Sequence, residues 1–391
     1  MKNIAILEIY SHHVFVHTLA SSLLVAGNQV TVYVSARIFK DLEPMFLLDD
    51  VKPKFCVSNE TESDFHFLRR IKSRIDQNYD LLFINSIQGY RIIYFYLFSF
   101  DLTTLAAAGR ISEFFGSSYR LHGFISLRQF LHHNYTKFLL PKVLRRLDGL
   151  IVHTEKAKTL ALSGEYSKPI HCMPFSLHNK NIINTRSMSK SQNINFLITG
   201  SITARSRDYF GILEVFENIW KGGTKNIELT VLSSPSSEYG YKVYEEMQRL
   251  GAKKYPIKYF SGWIPEEEFV SYSSKADFLI APILQEYYGA GEITSVEVES
   301  IRMGIPAFYP DWYFVDQGRQ DSCTSFSSYL HLQGMILELS ANISAVEPAR
   351  LRALKNAETY SVKQVAKKLS KFLTRVEFDS NNTGDKRIFD D

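Results

Sequence analysis

Short, continuous apolar runs recur along the first half of the chain: "NIAILEIY" (3–10), "VTVYVS" (30–35), "DLLFINS" (80–86) and "DGLIVHT" (148–154). They are rich in aliphatic and β-branched residues and lack polar alternation, as expected of parallel strands buried on both faces. Helical patterns lie between them, and Gly27 stops the first near Ala26. Strand, helix, strand in series predicts an α/β doubly wound domain. The polar stretch "HNKNIINTRSMSKSQN" (178–193) then reads as a linker.

The alternation restarts beyond the linker. "INFLITG" (194–200), "IELTVLS" (227–233), "IKYFSG" (257–262) and "ADFLIAPI" (276–283) are strand candidates, with helices from about Asp208, Tyr241 and Glu266. A chain of 391 residues is too long for one ordinary core. The expected organisation is a first Rossmann-like domain over 1–180 and a second over 190–350. Residues 351–378 read as helical, and the tail over 379–391 as disordered. Tandem domains of this kind form a cleft, and open parallel sheets bind ligands beyond the carboxyl ends of their strands.

The stretch "EITSVEVESIRMGIPAF" (292–308) has the outline of a buried helix leading into a strand, yet it carries Glu292, Glu297 and Glu299. Burying an ionised carboxylate is costly unless something pairs with it. Thr294 and Glu297 fit a capping box, in which Glu297 reaches back to the N–H of Thr294. Glu299 points to another side of the helix, where Arg302 is one available partner. The preceding turn "YYGAGE" lets backbone approach a ligand, and helix N-termini bind phosphate. A carboxylate one turn further in suits a sugar diol, so phosphate at the turn and ribose at the glutamate form one coherent nucleotide site.

Four stretches in order, "FLITGSITARSRDYFGILEVFENI" (196–219), "IKYFSGWIPEEEFVSYSSKADFLIAPI" (257–283), "YYGAGEITSVEVES" (287–300) and "GIPAF" (304–308), resemble the sugar-nucleotide domain of GT-B glycosyltransferases, above all the family-4-like retaining group. "LDGLIVHTEKAK" (147–158) resembles that group's first domain, and the resemblance implies that the helices over 351–378 pack back across both domains. The spacing of Glu299, Gly304 and Pro306 is the group's, and it implies that Glu299 binds the donor ribose. The resemblance also implies that Arg205 or Arg207, after Gly200, contacts the donor diphosphate, for which a guanidinium fork is suited. It further implies a histidine at the donor sugar, for which His122 in "YRLHGF" is the candidate.

The chain departs from that pattern in two places. Where the group places a second glutamate, this chain has Gly291, with Glu292 one residue away. Either Glu292 serves, or the hydroxyls of Thr294 and Ser295 and the backbone N–H groups hold the phosphate. The group's Gly-Gly pair after the first strand is also missing; "SHHVFVH" stands there. His12 or His13 would suit a base that takes the acceptor proton in an inverting enzyme. Retention follows from the second half, inversion from these histidines. Trp263, followed by Ile264, is either a surface on which the nucleobase stacks or a core aromatic.

Composition narrows the partners. Hydrophobic residues make up 45% and charged residues 22%, and a net charge of +4 does not argue for nucleic acid. The three cysteines show no ligand spacing and suit a reducing, cytoplasmic compartment. No D-x-D lies near the proposed site, "FDD" falling in the tail, so no metal and no cofactor are expected; a nucleotide-diphosphate sugar would be a substrate. "LRQFLHHNYTKFLLPKVLRRL" (127–147) has five Lys/Arg, two His and no acid. Such a segment either lies on an anionic membrane surface or is an ordinary basic surface, with Pro141 splitting it into two helices. The resemblance then implies transfer of a sugar to a hydroxyl of a glycan or lipid-linked glycan, in polysaccharide or glycolipid synthesis. A sugar-nucleotide epimerase and a non-catalytic nucleotide-sugar-binding subunit are the alternatives.

Overall fold

The computed structural model describes residues 1–10, 12–47, 49–87, 92–108, 138–164, 166–179, 193–289 and 291–382. His122, residues 127–137 of the basic segment and the "FDD" tail lie outside the described residues. The chain divides into two compact units. One comprises Met1–Phe175 together with the chain from Val362 onward, and the other comprises Ser176–Ser361.

The first unit holds a seven-stranded sheet in the order β3-β2-β1-β4-β5-β6-β7, in which every neighbouring pair is parallel. The strands are β1 (Asn3–Glu8), β2 (Gln29–Val34), β3 (Lys54–Val57), β4 (Leu81–Ile84), β5 (Thr103–Ala107), β6 (Gly149–Val152) and β7 (Ile170–Cys172). Four of them coincide with the apolar runs. The other three escape a reading by periodicity. β3 and β7 are short, half-exposed edge strands, and β5 is rich in alanine and threonine. The aromatic run 91–100 supplies the helix Ile92–Leu97, and its Phe95 and Phe100 enter this unit's core. Pro141 lies within the helical stretch 138–146 and does not interrupt it.

The second unit holds a six-stranded parallel sheet in the order β10-β9-β8-β11-β12-β13. Its strands are β8 (Ile194–Thr199), β9 (Ile227–Leu232), β10 (Ile257–Lys258), β11 (Phe278–Ile280), β12 (Ala307–Pro310) and β13 (Cys323–Phe326). One core covers each face, the first around Phe196, Phe216 and Phe308, the second around Leu197, Leu279 and Tyr309. This two-sided burial is the reason the strands read as continuous apolar runs. In each sheet the order reverses beside the first strand, between β1 and β4 and between β8 and β11.

The helices start where local chemistry starts them. Asp208 accepts from the N–H of Gly211 at 2.9 Å and begins Tyr209–Lys221, and Ser237 accepts from that of Gly240 at 3.1 Å and begins Glu238–Ala252. The first four residues of the second unit are tied to it. Ser176 Oγ donates to the carbonyl of Val298 at 2.8 Å, and the N–H of Asn179 to that of Arg302 at 3.0 Å. At the other end, the helix Val346–Glu358 packs within the second unit, whereas Val362–Asn382 belongs to the first and lies against the helix His13–Val25.

Candidate nucleotide-binding site

The carboxyl end of β8 meets the N-terminus of the helix Ser295–Met303. Thr294 caps that helix, its Oγ1 accepting from the N–H of Glu297 at 3.0 Å. The capping box is only half made. The Glu297 carboxylate turns into the core, where it pairs with Arg319 Nη1 at 2.7 Å and accepts from Tyr313 Oη at 2.5 Å. Glu297 and Arg319 are each 2% exposed. Arg319 also donates to Ser300 Oγ at 3.0 Å, further along the same helix. The helix ends in Gly304 at φ +64°, where an added Cβ would come within 2.6 Å of Leu354. A left-handed turn packed this closely against Leu354 favours glycine.

Arg207 lies beneath the turn that leaves β8. Its Nη2 donates to Ser295 Oγ at 2.7 Å and its Nη1 to the carbonyl of Thr199, which also accepts from Ser295 Oγ at 3.2 Å. Gly200, at φ +97°, passes directly over the guanidinium; a Cβ there would stand 2.4 Å from Nη2. Arg207 is 3% exposed, its Nε has no hydrogen-bond partner, and no carboxylate pairs with it among the described residues. A buried cation without a counter-ion, beside a helix N-terminus, is a strong field for an anion. Arg205 is different: it is exposed and lies over the ring of Tyr287 at 5.5 Å. Gly291 has φ +93°, and the carbonyl of Glu292 accepts from Tyr313 Oη at 3.2 Å.

Glu299 sits one turn into the helix and is 8% exposed. Among the described residues its Oε2 has no hydrogen-bond partner, and it stands 3.8 Å from Arg302 Nη1. Arg302 directs its other nitrogen to Glu266. Burial pushes the Glu299 carboxyl up to about 7, Arg302 opposing the shift and Glu266 adding to it. The Arg302–Glu266 pair also ties this helix to the segment carrying Trp263 and Ile264. Ile264 packs into the core, but Trp263 is 85% exposed and is no core aromatic.

In the first unit His12 is the N-cap residue of the helix His13–Val25. Its ring stands edge-on to Phe175 at 5.6 Å and to Tyr10 at 6.3 Å. His13 is half-buried in the first turn. The structure therefore brings Gly200, Arg207, Thr294 and Ser295 together. Glu299 and Trp263 lie on one neighbouring segment pair, and His12 and His13 lie in the other unit. Arg319, which decides where Glu297 goes, carries no signal in the sequence.

No family model and no curated protein matches the chain. Solved structures do. The chain is similar to sucrose-phosphate synthase from Thermosynechococcus elongatus at 12% identity and TM-score 0.66, over 97% of this chain and 100% of that one. It is similar to Anabaena HepE in complex with UDP and glucose at 10% identity and TM-score 0.65, over 96% and 100%. It is also similar to the UDP-GlcNAc 2-epimerase from Neisseria meningitidis bound to UDP-GlcNAc, at 12% identity and TM-score 0.58, over 96% and 100%. The fold is GT-B, built of two Rossmann-like units, as the sequence resemblance implied.

The raised carboxyl of Glu299 makes a stability prediction. Between its ordinary value of 4.5 and about 7 the unfolded chain ionises this group while the folded protein keeps the proton, so stability falls as pH rises through that window. Above it the full penalty is present, about 3 kcal/mol. Glu299→Gln removes the penalty. In urea titrations the variant should match the wild type near pH 4.5 and exceed it by up to about 3 kcal/mol at pH 8. A difference that does not depend on pH would show that the carboxylate is compensated.

Proposed function

We propose that the chain is a glycosyltransferase that moves a sugar from a nucleotide-diphosphate donor to a hydroxyl of a glycan or lipid-linked glycan. The observation that carries this is Glu299, a buried carboxylate with an unpartnered oxygen and a raised pKa. Strongly perturbed groups of this kind cluster at functional sites. The ribose diol supplies the donors that Glu299 lacks. The diphosphate lies at the Thr294–Ser295 helix terminus and Gly291, where backbone N–H groups and the field of buried Arg207 face it. Arg205 reaches it from the exposed side, and the nucleobase stacks on Trp263. HepE and the Neisseria epimerase, bound to UDP and UDP-GlcNAc, support a uridine nucleotide as the first ligand to try.

In this reading Arg207 and the helix terminus stabilise the charge that develops on the leaving diphosphate, and no cofactor is needed. The first unit receives the acceptor. Likeness of the donor half to the family-4-like group favours retention; His12 or His13 as base favours inversion. The sugar-nucleotide 2-epimerase among the neighbours supports a second reading, isomerisation without an acceptor. A lipid-linked acceptor is supported by one patch of the first unit. There Phe138 and Leu97 are 64% and 56% exposed, and Lys142 lies over the Phe138 ring at 4.1 Å. Arg146 beside it donates to the carbonyl of Tyr96 at 2.7 Å. Such a patch fits an anionic membrane face on the cytoplasmic side.

Calorimetry with UDP-glucose tests the donor site. Glu299→Ala should weaken binding about 10- to 100-fold through the lost charge-assisted hydrogen bonds. Unchanged affinity would remove the ribose assignment. Incubation with UDP-GlcNAc alone should return the sugar unisomerised; an epimer would establish the second reading instead. Sedimentation with vesicles tests the patch: the protein should pellet with phosphatidylglycerol vesicles and less so after Lys142→Glu. Equal recovery on neutral and anionic vesicles would count against membrane attachment.

A further inference from the structure

The first unit buries a carboxylate of its own. Glu8 is the last residue of β1 and is 1% exposed, at the end of a strand whose other buried residues are Ile4, Ala5, Ile6 and Leu7. No cationic side chain pairs with it among the described residues. Neutral donors hold it instead. Oε1 accepts from the N–H of Tyr10, and Oε2 accepts from Asn85 Nδ2 at 2.5 Å and from Ser86 Oγ at 2.7 Å. An aliphatic residue would fill this strand end without the desolvation cost of an acid.

The carboxylate secures the turn out of the strand. It holds Tyr10 directly. Asn85 Nδ2, which it fixes, also donates to the carbonyl of His12 at 3.3 Å, on the far side of the turn. That same carbonyl accepts from the N–H groups of Phe15 and Val16, so the start of the helix His13–Val25 is referenced to Glu8 as well. Arg37 Nη2 braces the turn from outside by donating to the carbonyl of Tyr10 at 2.5 Å. Asn85 and Ser86 follow β4, so the network spans the two strands at which the sheet order reverses. Parallel sheets of this kind receive ligands at that point. Asn85 Oδ1 is buried with no partner among the described residues, so within them the network has an acceptor left over.

We propose that Glu8 is a positioning residue for the acceptor: it sets the turn that carries His12 and His13, on which the acceptor hydroxyl is received. The proposal rests on the glycosyltransferase reading above. Glu8→Gln is nearly isosteric but offers one acceptor oxygen and one NH2. The NH2 would face either the Tyr10 N–H or the donors of Asn85 and Ser86, so one side of the turn is released.

With UDP-glucose as donor and octyl glucoside, galactoside and mannoside as acceptor probes, Glu8→Gln should raise the acceptor KM at least about tenfold and leave the donor KM within about twofold. In 13C-histidine spectra the ring signals of His12 and His13, assigned with His12→Gln and His13→Gln, should move while that of His331 in the second unit stays. Equal loss in both KM values, or unmoved His12 and His13 signals, overturns the proposal. If the wild type transfers to none of the probes, the spectra decide alone. Should Glu8→Gln not fold, Asn85→Ala cuts the tie to His12 and spares the one to Tyr10, and it is read the same way. Binding of UDP-glucose to the wild type judges the glycosyltransferase reading separately: without it that reading falls, while the histidine signals still decide whether Glu8 holds the turn.

Discussion

The ion pair between Glu297 and Arg319 is the contact on which the second unit's site depends. Both groups are almost fully removed from water, and their oxygen and nitrogen meet at 2.7 Å. Such a pair contributes little net stability, but losing either partner leaves an uncompensated buried charge, at a cost of about 3–5 kcal/mol. It therefore fixes geometry. Seven of the nine residues of the helix Ser295–Met303 are buried, and the pair sets which way that helix is rotated. Thr294 and Ser295 are thereby held at the end of β8 over Arg207. Among the described residues no donor comes within hydrogen-bond distance of Glu299 Oε2.

Among the described residues, a buried ionisable side chain stands where each sheet's strand order reverses. In the first unit it is Glu8, held by neutral donors; in the second it is Arg207, held by a carbonyl and a hydroxyl. Neither has an oppositely charged partner among the described residues. A strand end could be filled more cheaply with apolar side chains.

The fold was legible because both sheets are parallel and covered on both faces, which leaves the long strands as unbroken apolar runs. What escaped was at an edge or weak in composition: β3, β7 and β13 bury too few side chains to leave a pattern, and the central β5 is built largely of alanine and threonine. Within the site, the distance from Glu299 to Gly304 and Pro306 was readable, and so was the Thr294 cap. The destination of the Glu297 carboxylate was not. Arg319 meets it through tertiary packing, and no local spacing encodes that contact. Trp263 could not be assigned by composition, since an aromatic residue after a strand end is as often core as surface; its exposure decided it. Glu8 did leave a trace, as the one acid inside "NIAILEIY".

If Glu299 waits half-protonated for a ribose diol, donor binding must move a proton. UDP-glucose is the suitable probe, because its diphosphate diester does not titrate near neutrality. Calorimetry at pH 7 in buffers of different ionisation enthalpy reads the number of protons exchanged. Hydroxyls donating to the carboxylate favour its charged form, so binding should release about half a proton at pH 7, and Glu299→Gln should abolish the release. Binding with no proton release, or with the same release in the variant, would contradict the assignment of the nucleotide to this helix.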